Sequence, residues 1–183
     1  MSSMGLFKKL NPLFTMIIKD DFLPKDTLGK LQAYMLSPKV KWRYNEFKVR
    51  SKEDTDSFQF VHTFYRLPVA KSRKSPVHDD LVYVEPLLKH LDANLILKIK
   101  ANITPRTAEP NITEFHTDFH DGIGNKTAIY YVNTNNGYTE FESGEIVESV
   151  ENRMVIFDGN ERHRGVSCTD EKVRIVINFN YFP

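Results

Sequence analysis

Arg174-Ile175-Val176-Ile177-Asn178-Phe179-Asn180-Tyr181 is the stretch that decides the fold. Side chains along an extended strand point alternately to opposite faces. Ile175, Ile177, Phe179 and Tyr181 therefore share one strongly apolar face, suited to a packed core. Arg174, Val176, Asn178 and Asn180 share the other, which is smaller or more polar and suits the wall of a ligand cavity. Upstream the same periodicity recurs, and residues 95–104, 113–120, 126–133, 138–143, 145–150, 153–157, 163–168 and 173–182 all read as strands. Turn chemistry separates several of them, at Asp121-Gly122-Ile123-Gly124-Asn125, Asn135-Asn136-Gly137, Ser143-Gly144 and Asp158-Gly159-Asn160. Eight short strands after a helix-bearing half predict a mainly β fold with flanking helices. A two-sheet, jelly-roll or cupin-like core is the expected architecture.

The first half reads as the support of that core. Leu13 to Ile18 predicts a strand, and Lys25 to Leu36 a helix with Leu28, Leu31 and Met35 on one face, ended by Ser37-Pro38. Strands follow at 40–44 and 58–67, and a helix at 79–91 that Pro86 either breaks or restarts as a second short helix. Between them lie the polar run Arg50 to Asp56 and the cationic, proline-containing segment 68–78, read as a linker within the domain. The 183 residues fit one domain, with supporting elements over 10–94 and the β core over 95–182.

Composition narrows the class. The single cysteine, Cys168, excludes an internal disulfide and predicts a reducing, cytoplasmic setting. Leu13 to Ile18 is too short for a signal peptide, no stretch approaches a membrane span, and the first glycine, Gly5, misses the myristoylation position. Net charge is +1, but residues 1–100 hold 18 Lys and Arg against 11 Asp and Glu, while 101–183 hold 7 against 13. Lys39 to Arg43, Lys48 to Lys52 and Lys71 to Lys74 carry the excess. Short clusters of this kind usually serve as solvated surface; the rival reading is a track for nucleic acid with Trp42 for stacking.

Four residues carry the chemistry: His116, Asp118, His163 and Arg174. His116 and Asp118 are two apart in a predicted strand, so they face the same way and can grip one ion. His163 follows the apolar run Met154 to Phe157, after a glycine turn. Two imidazoles and one carboxylate, with the remaining positions open, are the donor set of a non-haem Fe(II) site. Arg174 at the head of the last strand suits the carboxylate of a co-substrate. The plain alternative is a jelly roll with a buried Arg–Asp pair. A lone His-x-Asp is weak, and His120 shows why: it shares that face yet falls at a glycine-rich turn, so it reads as solvent-exposed or at the mouth of the site and not as a ligand. His62, His78 and His90 have no ligand-spaced partner and read as structural or surface residues.

These motifs, together with Thr127 to Asn133, Gly137 to Phe141 and Asn152 to Asp158, resemble the 2-oxoglutarate/Fe(II) dioxygenase superfamily, nearest its prolyl 4-hydroxylase-like branch and its small bacterial and phage members. The resemblance covers about residues 95–182, and 10–94 more loosely. It implies a double-stranded β-helix core, with His116, Asp118 and His163 as metal ligands. Arg174 and Tyr131 are implied to hold the distal carboxylate of 2-oxoglutarate. Many prolyl hydroxylases carry a further tyrosine on the strand before His-x-Asp; here Ala101-Asn102-Ile103-Thr104-Pro105 leaves Asn102 and Thr104 to serve, with Asn178 and Asn180 beside them. Implied cofactors are Fe(II), 2-oxoglutarate and O2, with ascorbate as an optional reductant. The implied reaction hydroxylates a C–H bond and releases succinate and carbon dioxide. Related halogenases lack the carboxylate that Asp118 provides, so its presence favours hydroxylation.

A peptide or protein substrate, hydroxylated at proline, is the preferred expectation, with segments 45–57 and 68–78 supplying contacts and 48–57 serving as a lid. The rival readings are a nucleic-acid demethylase drawing on the basic half, a small-molecule oxygenase, a cupin-type metal enzyme without 2-oxoglutarate, and a non-catalytic jelly-roll binding module.

Overall fold

The computed structural model describes residues 16–48, 58–68, 79–118 and 124–183. Its strands in chain order are β1 Ile17–Lys19, β2 Arg43–Asn45, β3 Gln59–Arg66, β4 Leu95–Pro105, β5 Lys126–Tyr131, β6 Tyr138–Phe141, β7 Ile146–Glu148, β8 Arg153–Asp158, β9 His163–Val166 and β10 Val173–Phe182. Two α-helices, α1 Lys25–Met35 and α2 Glu85–Leu88, accompany them, with a 3-10 turn at Asp79–Tyr83. The larger sheet has seven strands in the order β1-β8-β5-β10-β4-β3-β2, and the smaller three in the order β7-β6-β9. All pairings are antiparallel.

The alternation read from the sequence sorts the side chains of the larger sheet into two layers. Ile175, Ile177 and Phe179 of β10, Ala128 and Tyr130 of β5, Ile99 and Ala101 of β4 and Met154 of β8 pack on the helical side. There they meet Leu28, Leu31 and Met35 of α1 and Leu87 of α2. Each such fully buried large apolar side chain contributes about 1.5–3 kcal/mol. Ile129, Tyr131, Val155, Phe157 and Val176 turn the other way and pack against Phe141 and Val147 of the smaller sheet. The result is the mainly β, double-stranded β-helix core with helices on its outer face. Beyond the apolar cluster, the space between the sheets opens into a polar cavity.

Helix α1 follows its apolar spacing, with Asp26 favourably placed in the first turn. It ends where the Ser37 hydroxyl donates to the Tyr34 carbonyl, 2.7 Å away, just before Pro38. Asn152 docks the N-terminal part onto the core from a backbone φ of 63°. Its Oδ1 accepts from Leu23 N and the Tyr130 hydroxyl, both at 2.8 Å, and its Nδ2 donates to Leu23 O at 2.9 Å.

Three expectations need correction. The strand expected at 40–44 pairs only over Arg43–Asn45, because the backbone turns at Val40, whose carbonyl accepts from Trp42 N. The helix expected at 79–91 is a 3-10 turn followed by α2, which ends at Leu88; Pro86 lies in the first turn of α2, the restart its position allowed, where its missing N–H costs nothing. The strand expected at 113–120 forms no ladder. Over 111–118 there are isolated bridges, Ile112 to Val166 and His116 to His163, and residues 119–120 lie outside the described part. The two bridges are out of register with each other by one residue, so no continuous ladder joins them. The first predicted strand lies partly outside the described residues, and its described part is β1. The segments 49–57 and 69–78, and His78 and His120, also lie outside them.

Candidate metal and anion site

At the β9 edge, His116 and His163 exchange both backbone hydrogen bonds, at 3.0 and 2.9 Å, and their rings sit 4.9 Å apart. The loop is also fastened by side chains: Arg162 Nη2 donates to Phe115 O at 2.9 Å, and the Arg164 guanidinium lies 4.2 Å from the Phe115 ring centroid. A loop held at these points needs no extended geometry at Asp118, and its carboxylate turns toward the two imidazoles. Ligand atoms of His116, Asp118 and His163 all lie within 4.8 Å of one another.

Second partners orient all three side chains. His116 Nδ1 faces Glu114 O at 3.2 Å and His163 Nδ1 faces Glu161 O at 3.1 Å. A carbonyl can only accept, so each Nδ1 carries a proton and Nε2 is the ring atom left to face a metal. The His163 ring stands nearly edge-on to Phe157, 4.9 Å between centroids. Asp118 Oδ2 accepts from Asn178 Nδ2 at 3.0 Å and Asn180 Nδ2 at 3.4 Å, while Oδ1 faces His116 Nε2 at 3.9 Å. Burial pushes the His116 imidazole down, against the pull of Asp118, which favours the neutral ligand form. Burial alone would raise the Asp118 carboxyl, but the charges of His163, Lys98, Lys100 and His116 outweigh it and hold the group well below the usual carboxylate range. Two imidazoles that turn Nε2 toward one carboxylate are a donor set that fits a divalent metal.

The same cavity, enclosing about 620 Å³ with its mouth included, reaches Arg174. This guanidinium is buried, with 6% exposure. Its partners are hydroxyls: Nε donates to Ser149 Oγ at 2.9 Å and Nη2 to Thr139 Oγ1 at 3.1 Å. It lies 5.6 Å from the Tyr131 ring centroid, and among the described residues it pairs with no carboxylate. The alternative of a buried Arg–Asp pair is therefore not what Arg174 forms. Burial lowers its proton affinity, and a desolvated cation of this kind is suited to pairing with an anion. Gly137 makes room for it: a Cβ there would stand 2.8 Å from Arg174 Cδ.

The other residues singled out from the sequence divide into two groups. Asn102 and Thr104 line the cavity opposite Val176 and Arg174 in the β4–β10 register. The Asn102 Oδ1 is buried with no hydrogen-bond partner. Asn178 also lines the cavity, whereas Asn180 stands behind Asp118 and bonds Thr127 Oγ1 at 3.1 Å. Tyr131 is fully buried behind the wall, and its hydroxyl donates to Thr139 Oγ1 at 2.8 Å. Having accepted from Tyr131 and Arg174, Thr139 keeps its own proton to donate. His62 is a buried structural residue, 2.8 Å from Asp80 Oδ2, and His90 is exposed beside Phe22.

Sequence reasoning missed Thr139, Ser149 and Lys100. Alternation in Tyr138–Phe141 turns Thr139 inward with Phe141, and parity with Asn102 and Thr104 turns Lys100 inward, so both were reachable from strand period alone. Ser149 lies just past β7, where no period applies.

No protein-family model and no curated protein sequence matches the chain. Solved structures do match in fold. One is the viral collagen prolyl hydroxylase of Paramecium bursaria Chlorella virus-1 in complex with 2-oxoglutarate, at 10% identity and TM-score 0.57, covering 92% of this chain and 96% of that one. A second is a prolyl hydroxylase from Trichoplax adhaerens in complex with a peptide fragment of hypoxia inducible factor, at 13% identity and TM-score 0.54, covering 91% and 83%. A third is HygX from Streptomyces hygroscopicus with nickel, 2-oxoglutarate and hygromycin B bound, at 11% identity and TM-score 0.54, covering 92% and 82%. The chain has the fold of the 2-oxoglutarate/Fe(II) oxygenases, with a double-stranded β-helix core.

Proposed function

We propose that the protein is an Fe(II)- and 2-oxoglutarate-dependent oxygenase that hydroxylates a C–H bond of a peptide, with proline as the preferred target. The observation that carries the reading is Arg174, a buried cation without an acidic partner, in one cavity with the His116–Asp118–His163 group. A metal-binding module or a cupin-type enzyme without 2-oxoglutarate has no use for such an arginine. Peptide and proline are supported by the prolyl hydroxylases of like fold, one of them in complex with a peptide.

In this reading His116 Nε2, His163 Nε2 and Asp118 Oδ1 hold the metal. Ferrous iron bound there, with 2-oxoglutarate and O2, supplies oxidative decarboxylation to succinate and carbon dioxide and delivers one oxygen atom to the substrate. The chain's own part is placement. Arg174 pairs with the distal carboxylate, Thr139 donates its free proton to the same group, and Ser149 fixes the guanidinium. Tyr131 acts from behind, aiming the Thr139 hydroxyl into the cavity. Asn178 and Asn180 hold one oxygen of Asp118 so that the other faces the imidazoles. Ile129 and Val176 give the wall an apolar strip that sheds water.

The test measures succinate release by the Fe(II)-loaded protein over proline-containing peptides, methylated oligonucleotides and free amino acids, with mass spectrometry of each product. A peptide gain of about one oxygen atom supports the full reading. Formaldehyde from an oligonucleotide, with steep salt dependence, replaces the substrate assignment. No binding of 2-oxoglutarate in the presence of Fe(II) overturns the enzyme class.

A further inference from the structure

Besides Arg174 the cavity is lined by Lys48, whose Nζ donates to Asn111 Oδ1 at 3.1 Å, and by Lys100, and the proposed chemistry uses neither. Lys100 lies on β4, opposite Asn178 of β10 and Thr63 of β3, and lines the cavity at its metal end. It forms no hydrogen bond or ion pair with any described residue. The acid nearest in effect is Asp118, whose oxygens are taken up by Asn178, Asn180 and the metal group. Its electrostatic neighbours Lys98 and Arg66 add charge of the same sign. Lys100 is partly buried, and desolvation brings its ammonium down to about 8, so it stays mostly protonated at neutral pH.

A charge count shows what is missing. A divalent metal, Arg174 and Lys100 bring four positive charges; Asp118 and the 2-oxoglutarate dianion bring three negative ones. One positive charge is left in the cavity even before Lys48 is added. The co-substrate cannot supply its partner, since one carboxylate goes to Arg174 and the other end goes to the metal. The two cations stand four residues apart in register, about 13 Å along the strand, so they address different groups. A desolvated cation is costly unless an anion meets it.

We propose, on the basis of the oxygenase reading above, that Lys100 is a specificity-determining residue whose ammonium receives a carboxylate carried by the substrate close to its target carbon. That carboxylate is either the α-carboxylate of a terminal or free amino acid or the side chain of an acidic residue next to the target.

The experiment loads the protein with Fe(II) and 2-oxoglutarate without oxygen. Calorimetry then measures binding of N-acetylproline, its neutral analogue N-acetylprolinamide, and N-acetyl-aspartylprolinamide to wild type, Lys100→Met and Lys100→Arg. Wild type should bind at least one carboxylate probe about tenfold or more tightly than the neutral amide, a difference of about 1.4 kcal/mol. Which probe wins distinguishes the α-carboxylate from the acidic side chain. Lys100→Met should abolish the preference, Lys100→Arg should keep most of it, and both should hold 2-oxoglutarate within about threefold of wild type. No preference in wild type, a preference that survives Lys100→Met, or loss of 2-oxoglutarate binding in Lys100→Met would each overturn the proposal. Failure of wild type to bind 2-oxoglutarate with Fe(II) instead removes the oxygenase reading on which it rests.

Discussion

Arg174→Met separates the role of the buried guanidinium in binding from its role in folding. In the unliganded chain Arg174 is a desolvated cation whose only partners are two hydroxyls. Methionine of similar length removes that burden, which is worth about 1–4 kcal/mol when a buried ion is replaced by a packed apolar group. Against it, Ser149 and Thr139 each lose a hydrogen bond, about 1 kcal/mol apiece. Unliganded stability should therefore stay level or rise. Binding changes in the opposite direction. Truncating a desolvated charge pair costs about 2–5 kcal/mol, or roughly 30- to 4,000-fold in Kd for 2-oxoglutarate. A thermal-shift assay reads both effects. Ligand at about a hundred times its Kd stabilises wild type by about 2.7 kcal/mol. For a chain of 183 residues that is a rise of roughly 5–10 °C in Tm, and Arg174→Met should show about a third of it or less at the same concentration. A variant that melts several degrees lower without ligand, yet keeps the full 2-oxoglutarate shift, would refute the reasoning on both counts.

Further predictions concern other parts of the site and fold. Asp118→Ala should abolish Fe(II)-dependent turnover while circular dichroism stays near wild type; normal turnover would remove Asp118 from the ligand set. Tyr131→Phe should weaken 2-oxoglutarate by only about 0.5–1.5 kcal/mol, because its hydroxyl acts through Thr139; a loss as large as that of Arg174→Met would place the phenol on the ligand itself. Asn152→Ala removes three buried hydrogen bonds and should lower stability by about 2–4 kcal/mol in urea titration, with 2-oxoglutarate affinity unchanged. Lys100 sets a pH dependence: its ammonium lies near 8 in the fold against 10.5 in the open chain, so between those values the unfolded state binds more protons and stability rises with pH. In metal-free protein, Lys100→Met should be the more stable at pH 7, and the gap should close toward pH 10.5; a constant gap would mean that Lys100 titrates normally.

The parts of the fold legible in the sequence are those governed by strand period. Alternation in β10 assigned Ile175, Ile177 and Phe179 to the core and Arg174 and Asn178 to the cavity, because a half-buried antiparallel strand cannot shift by one residue without inverting its faces. The same logic failed at 113–118. His116 pairs at a single bridge, and the convergence of Asp118 comes from Arg162 and Arg164 holding the loop, which is a long-range effect with no local signature. Thr139 and Ser149 were missed for a related reason. Hydroxyls carry little pattern of their own, and their meaning depends on a guanidinium that approaches from residues 25 and 35 positions away. Tyr131 was picked out by its motif, and its strand parity is right, but only packing places its hydroxyl behind Thr139 and not on the cavity surface.

The two ends of the cavity are built from differently constrained material. Around Arg174 every contact is made by strands paired on both sides or by residues wedged between the sheets, and Gly137 leaves no space even for a methyl group. The opposite wall is the β4–β3–β2 flank, which ends on the three-residue strand β2 with no strand beyond it in the described part. Mutational change is thus channelled. Replacements near the arginine should cost more stability than those on the β2 side, which leave the doubly paired strands undisturbed. On the proposed reading, such a division would let the substrate side be redesigned while the co-substrate side is left untouched.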